Sequence, residues 1–218
     1  MTVAPTNTRR PYRREGEEKR RDDLIAAAIQ LVAEGGAAAA TVRAIAERAG
    51  VTPGLIRHYF ASKEELTQTA YRSVMEGMTQ SAVQSLADAA VDDPLARLAV
   101  FVASNFQPAI LDPVVLAVWA AYLHRSRTDP AMMSVHEAAY LGFRTQLQGL
   151  IAALPGRKQN PARDRRDAIA CNAVIDGLWI EGAALPDAFT RGELVRIALD
   201  ATGAILGVTL PVPDAHSE

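Results

Sequence analysis

Residues 41–56 read TVRAIAERAGVTPGLI, and the spacing inside that stretch decides the fold. Val42, Ile45, Ala46 and Ala49 fall on one face of a short helix, and Thr41 is suited to cap it. Gly50 follows and supplies the positive φ that a tight turn requires. Pro53 suits a first helical turn, so a second helix is expected from about Thr52 or Pro53 to Tyr59. Ala46 must be small because that helix crosses close above it, and Ile56 anchors the second helix on the first. This is the internal logic of a helix-turn-helix unit.

The same reading extends outward in both directions. Upstream, Leu24/Ile25, Ala28/Ile29 and Leu31/Val32 recur at helical spacing until Gly35-Gly36 stops the run. Downstream, Ser62-Lys63-Glu64-Glu65 is a capping box that opens a long helix through Leu66, Tyr71, Val74 and Met75. Asp93-Pro94 should open a helix ending near Phe106 to Ile110, and Asp112-Pro113 one through Trp119 and Tyr122. Asp129-Pro130 opens another that reaches Leu154-Pro155-Gly156, and two more are expected over about 162–184 and 191–206. Strand-type alternation is missing. The expectation is an all-α chain, with a three-helix amino-terminal unit and a larger helical bundle. Its divisions are a flexible basic arm over 1–16, a helix-turn-helix domain over 17–66, a bundle domain over 67–210 and a flexible tail over 211–218.

Composition narrows the function. The 218 residues are 49% hydrophobic and 22% charged with a net charge of −2, so a sizeable core is expected and any polyanion site must be local. Residues 1–21 carry seven Lys/Arg against three Glu, whereas residues 67–218 carry 12 basic and 16 acidic side chains. The amino-terminal part is therefore the candidate for phosphate contact. One cysteine, Cys171, excludes an intrachain disulfide framework and a cysteine-rich zinc site and reads as a small buried hydrophobe. The longest apolar run, Val114 to Leu123, is too short to span a bilayer and no secretory signal is visible, so a cytoplasmic protein without membrane attachment is expected.

The exposed face of the second helix would enter a major groove. Thr52, Pro53, Gly54 and Arg57 lie on it, with His58 and Tyr59 at its far end. Arg57 can read guanine bidentately, while Thr41, Arg43, Tyr59 and Lys63 are placed to meet phosphates.

Leu24 to Leu66, and above all GVTPGLIRHYFASKEEL at 50–66, resembles the TetR family of bacterial repressors. In that family a Gly-rich turn leads into the recognition helix, an aromatic pair follows, and a Lys at the next helix start grips phosphate. Gly54, His58-Tyr59-Phe60 and Lys63 match that pattern. Arg57 stands where the family often has Tyr, which points it toward base reading. IACNAVIDGLWIEGAA at 169–184, with Trp119 in its helix, is similar to the branch of the family that responds to choline.

The resemblance implies a homodimer formed through the last two helices, double-stranded operator DNA of palindromic sequence as partner, and a small-molecule effector bound among the middle helices. A quaternary ammonium effector needs aromatic faces and a carboxylate. Phe106, Trp119, Tyr122 and Tyr140 are candidate walls, with Asp176 and Trp179 beside them. Trp119 and Tyr122 read equally as pocket or as core, and Trp179, on a helix expected to dimerise, as interface or core first. Asp176 and Trp179, three residues apart, can share one face.

Catalysis finds no support. None of His58, His124, His136 and His216 stands in a metal-binding spacing, and no phosphate-cradling Gly loop or nucleophile signature occurs. No cofactor, metal or catalytic residue is expected. The alternatives are a TetR-type regulator answering to a different hydrophobic effector, or an all-α enzyme or small-molecule carrier whose first helices merely pack.

Overall fold

The structure, a computed structural model, describes the backbone of residues 9–213 and the side chains of residues 16–213. The described residues are helical in α1 (Arg9–Ala39), α2 (Val42–Arg48), α3 (Pro53–Tyr59), α4 (Lys63–Ala89), α5 (Pro94–Ser104), α6 (Pro113–Ser126), α7 (Pro130–Ala152), α8 (Pro161–Ala184) and α9 (Glu193–Leu206). A single 3-10 turn, Pro186–Ala188, precedes α9, and no strand occurs among them. Two compact units divide between Tyr71 and Arg72, and α4 runs through that boundary. Residues 9–16, expected as a flexible arm, belong to α1. Pro11 lies in the first turn, where its missing N–H forfeits no helical bond, and the Arg/Glu-rich run after it consists of good helix formers. Residues 1–8 of the expected arm and 214–218 of the expected tail lie outside the described residues.

In the first unit, α1 is interrupted at Gly35-Gly36, where Gly36 adopts φ 71°, so the glycine pair does break the helix. Thr41 Oγ1 accepts from the Ala44 N–H at 3.1 Å and caps α2. The turn after α2 is a Schellman motif: the Gly50 N–H donates to the Glu47 carbonyl, the Val51 N–H donates to that of Ala46, and Gly50 has φ 65°. Ala46 and Ile56 are buried with Ile45, Phe60, Leu24 and Leu66. Arg48 grips Glu34 with a two-pronged bond at 2.8 and 2.7 Å, tying α2 to the end of α1. The Arg21 guanidinium lies 5.3 Å from the centre of the Phe60 ring. Ser62 Oγ accepts from the Glu65 N–H, and the Glu65 carboxylate reaches back to the Ala61 N–H, so the first turn of α4 is closed from both sides.

The second unit is punctuated by the same device four times. Asp93, Asp112, Asp129 and Asn160 each accept a backbone N–H at the start of α5, α6, α7 and α8, and each is followed by Pro. The core joins α5 (Leu98, Phe101, Val102), α7 (Leu147, Ile151), α8 (Cys171, Ile175) and α9 (Ala198, Leu199). Three helix ends differ from the sequence expectation. α5 stops at Ser104, short of Phe106 to Ile110, because Asn105 Nδ2 donates to the Phe101 and Val102 carbonyls and takes over the end of the ladder. α7 stops at Ala152, short of Leu154. α9 starts at Glu193, after Gly192 turns through φ 74°. The chain then folds back over α9 at Gly207, and a Cβ on Gly203 would stand 2.6 Å from the Val208 carbonyl oxygen. No described helix is long and apolar enough to cross a membrane.

Candidate functional site

The helix-turn-helix unit presents its polar residues outward. Thr41, Arg43, Thr52, Pro53, Gly54, Arg57 and His58 are exposed, whereas Tyr59 and Lys63 are half-buried. The His58 and Tyr59 rings meet edge to face at 5.1 Å. Thr41 spends its hydroxyl on the α2 cap, and its backbone N–H and carbonyl are bonded to the Ala39 carbonyl and the Ile45 N–H. Arg43, Arg57 and Lys63 form no ion pair among the described residues, in contrast to Arg48, whose charge Glu34 neutralises. The fold thus separates the cation it uses to hold α1 and α2 together from three that carry no counter-charge among the described residues. Pro53 opens α3 and Gly54 adds no side chain, so the start of this helix offers little bulk to an approaching surface.

In the second unit, a small cavity of about 60 Å³ is walled by Trp119 from α6, Tyr140 and Phe143 from α7, and Asn172, Asp176 and Trp179 from α8. Met75 and Met78 from α4 close one side of it, and Asn105 another. The two tryptophan rings stand 5.5 Å apart at 87°, an edge-to-face pair. Trp179 is held by donation of its indole Nε1–H to the Ile110 carbonyl at 2.8 Å, so its ring has no freedom to turn. Tyr140 Oη donates to Asp176 Oδ2 at 2.6 Å, and Asn172 Nδ2 donates to the same oxygen at 2.9 Å and to Tyr140 Oη at 2.8 Å. One carboxylate is thereby held by two donors from two helices.

The electrostatics are those of a partly dry site. Burial pushes the Asp176 carboxyl above the ordinary carboxylate value, against the pull of Tyr140, Asn172 and His136. Tyr140 is pushed up to about 12, first by burial and then by its bond to Asp176. His136 stacks on Tyr140 with centroids 5.8 Å apart, and burial lowers its pKa while Asp176 raises it. Perpendicular indole rings beside a phenol and a carboxylate suit a compact cation without hydrogen-bond donors. Such an ion gains from aromatic faces and from a counter-charge, and demands no acceptor in line with an N–H.

Four of the six sequence-derived wall residues meet here: Trp119, Tyr140, Asp176 and Trp179. Phe106 and Tyr122 do not join them. Phe106 is packed into the bundle core and borders a separate cleft with Leu111 and Gly182, because the chain leaves helical geometry at Asn105 and redirects it. Tyr122 lies one turn beyond Trp119 on α6 and is fully buried, and its hydroxyl is pushed up to about 12 by that burial. Sequence reasoning missed Asn172, Phe143, Met75 and Met78. Asn172 was within reach of inspection, since it lies one helical turn before Asp176 on the same face.

A helix-turn-helix and an aromatic cavity with a buried carboxylate carried by one chain are the build of a ligand-responsive, DNA-binding transcriptional regulator. Residues 24–70 match the profile of bacterial regulatory proteins of the tetR family, and residues 94–207 that of the BetI-type transcriptional repressor C-terminal domain. The chain belongs to the TetR family of transcriptional repressors, with a C-terminal domain of the BetI type. It is 32% identical over 184 residues to the HTH-type transcriptional regulator BetI of Burkholderia thailandensis, across 84% of this chain and 91% of that protein. Among solved structures it resembles a Pseudomonas aeruginosa PAO1 protein assigned as a transcriptional regulator, with TM-score 0.79 and 29% identity, over 87% of this chain and 91% of that one. A regulator from Saccharomonospora viridis solved in complex with choline shares the fold, with TM-score 0.71 and 21% identity, over 84% and 95% of the two chains.

Proposed function

We propose that the effector is choline or another small quaternary ammonium compound, bound in the cavity of the second unit. The observation that carries this reading is the convergence of Trp119, Trp179, Tyr140 and Asp176 on one small space, two aromatic walls and a carboxylate being what such a cation requires. The fold accommodates ligands of this class, as the choline complex of the Saccharomonospora regulator indicates. What brings the class to this chain is its own cage.

On the DNA side, residues 17–66 act as the binding domain and residues 67–210 as the effector and dimerisation domain. Arg57 reads a base edge, helped by Thr52, Pro53, Gly54 and His58 at the groove. Thr41, Arg43, Tyr59 and Lys63 hold phosphates. The protein acts in the cytoplasm as a homodimer on a palindromic operator, as a regulator and not as an enzyme. Exposed Ile169 and Ile180 on α8, with Ile197 and Ile205 on the adjacent α9, support an interface between copies there. Effector and operator oppose each other, so DNA weakens effector binding by the factor with which effector weakens DNA binding.

The test is calorimetric titration of choline into the purified protein, followed by operator binding with and without choline. Saturable binding at one site per subunit, with loss of DNA affinity, is the expected result. Absence of binding, together with failure of choline to alter DNA affinity, would remove this effector class.

A further inference from the structure

A groove of about 530 Å³ opens between α4 and α7, and it shares Met75, Thr79 and Ala139 with the cage. Along α4 it extends from Arg72 to Val83, about 16 Å at 1.5 Å per residue. The middle of its α7 side is built of small side chains, Ala138, Ala139 and Gly142, between Val135 and Gln146. Nothing stands within 4 Å of where a Cβ on Gly142 would be, so this wall is recessed and open. The cage alone, at about 60 Å³, falls well below the usual 300–1,000 Å³ of a small-molecule site, and the groove brings the combined space into that range.

We propose that the groove seats the flexible chain of a quaternary ammonium ester, an O-acylcholine, whose cationic head occupies the cage. This rests on the cage reading above and goes beyond it by specifying what is attached to the head. The shared wall sets the polarity: the Asp176 end takes the cation, and the chain leaves past Met75 and Thr79. The groove selects an uncharged chain. Arg72 and Glu76, one turn apart on α4, offset each other in charge, and Met75, Val83, Val135, Ala138 and Ala139 give the walls an apolar majority. Gln80 and Gln146 are available to an ester carbonyl.

The experiment compares choline and hexanoylcholine by calorimetry on the full chain and on Gly142→Leu. Gly142 is exposed inside a helix and meets no neighbour, so leucine there fills the groove and improves helix propensity. On the wild type, hexanoylcholine is expected to bind about tenfold tighter than choline, the equivalent of burying about two methylene groups. Gly142→Leu should erase that advantage and leave choline within twofold. Ala138→Leu, one turn earlier on the same wall, should do the same and guards against a folding defect in the first variant. Hexanoylcholine binding no tighter than choline on the wild type would overturn the proposal while leaving the cage intact. Equal weakening of both ligands by the two variants would also overturn it. If neither ligand binds, the cage reading falls and the proposal with it.

Discussion

Replacing Asp176 by asparagine separates what the cage does for the fold from what it does for a ligand. The exchange keeps the shape, and an asparagine oxygen can still accept from Tyr140 Oη and Asn172 Nδ2, the two donors that hold the carboxylate now. What disappears is the charge. A cation about 5 Å from a carboxylate gains roughly 3 kcal/mol at an effective dielectric constant of about 20. Part of this offsets the desolvation of both ions, leaving an expected loss of about 1–3 kcal/mol, or roughly 5- to 150-fold in the Kd for choline. The free protein should respond in the opposite sense. Because burial raises the Asp176 pKa in the folded state, the stability linked to its protonated form is complete below the unfolded pKa and is lost as pH rises through the folded one. At neutral pH the ionised group therefore works against folding, and Asp176→Asn should leave the ligand-free Tm unchanged or higher. Calorimetry with choline and thermal unfolding without it read the two effects on one sample. Choline affinity within twofold of wild type, in a variant that folds, would refute the assignment of Asp176 as counter-charge. A lower Tm in the free variant would refute the electrostatic account of its stability.

The remaining predictions use other readouts. Choline affinity should fall on acidification, with the loss beginning above the ordinary carboxylate value of 3.8 as Asp176 takes up its proton; titrations across a pH series measure this. The chain has two tryptophans, and both border the cavity, so choline should change nearly all of the intrinsic indole fluorescence; an unaltered spectrum at saturation would place the ligand elsewhere. Arg57→Ala should relax operator specificity by about 1–3 kcal/mol at one base pair. Lys63→Ala should weaken all DNA alike and reduce the salt slope by about one, and salt-titrated binding to operator and scrambled duplexes distinguishes the two. Gly203→Ala should destabilise the second unit by about 1–3 kcal/mol, visible in chemical denaturation, because its Cβ would meet the backbone oxygen of Val208 at 2.6 Å.

Features set by neighbours in sequence could be read directly. Thr41, Gly50 and Ile56 define the helix-turn-helix through a cap, a turn and an anchor that all lie within one short stretch. The Asp-Pro and Asn-Pro junctions announce helix starts because the cap and the missing N–H act on the adjacent turn. The stretch from Val102 to Ile110 reads as helix past Asn105, yet a single side-chain amide ends the helix there. The cage was half legible. Trp119, Tyr140, Asp176 and Trp179 could be chosen by type, but the choice between Trp119 and Tyr122, three residues apart on α6, depends on how deeply α6 is packed. The bond from Tyr140 to Asp176 spans 36 residues and two helices, and no local pattern encodes it.

The helix starts carry a chemical consequence of their own. Asp93-Pro94, Asp112-Pro113 and Asp129-Pro130 are also the peptide bonds most easily hydrolysed in warm dilute acid. There the aspartic acid attacks its own carbonyl carbon and the basic prolyl nitrogen departs. Thr52-Pro53 and Asn160-Pro161 lack that carboxyl and survive. Acid treatment therefore divides the chain at the joints of its architecture. One fragment keeps the whole helix-turn-helix, two short ones carry α5 and α6, and the last holds α7 to α9 with Tyr140, Asp176 and Trp179 but without Trp119. A covalent label placed in the cavity could be assigned to one wall or the other by the mass of the fragment that bears it.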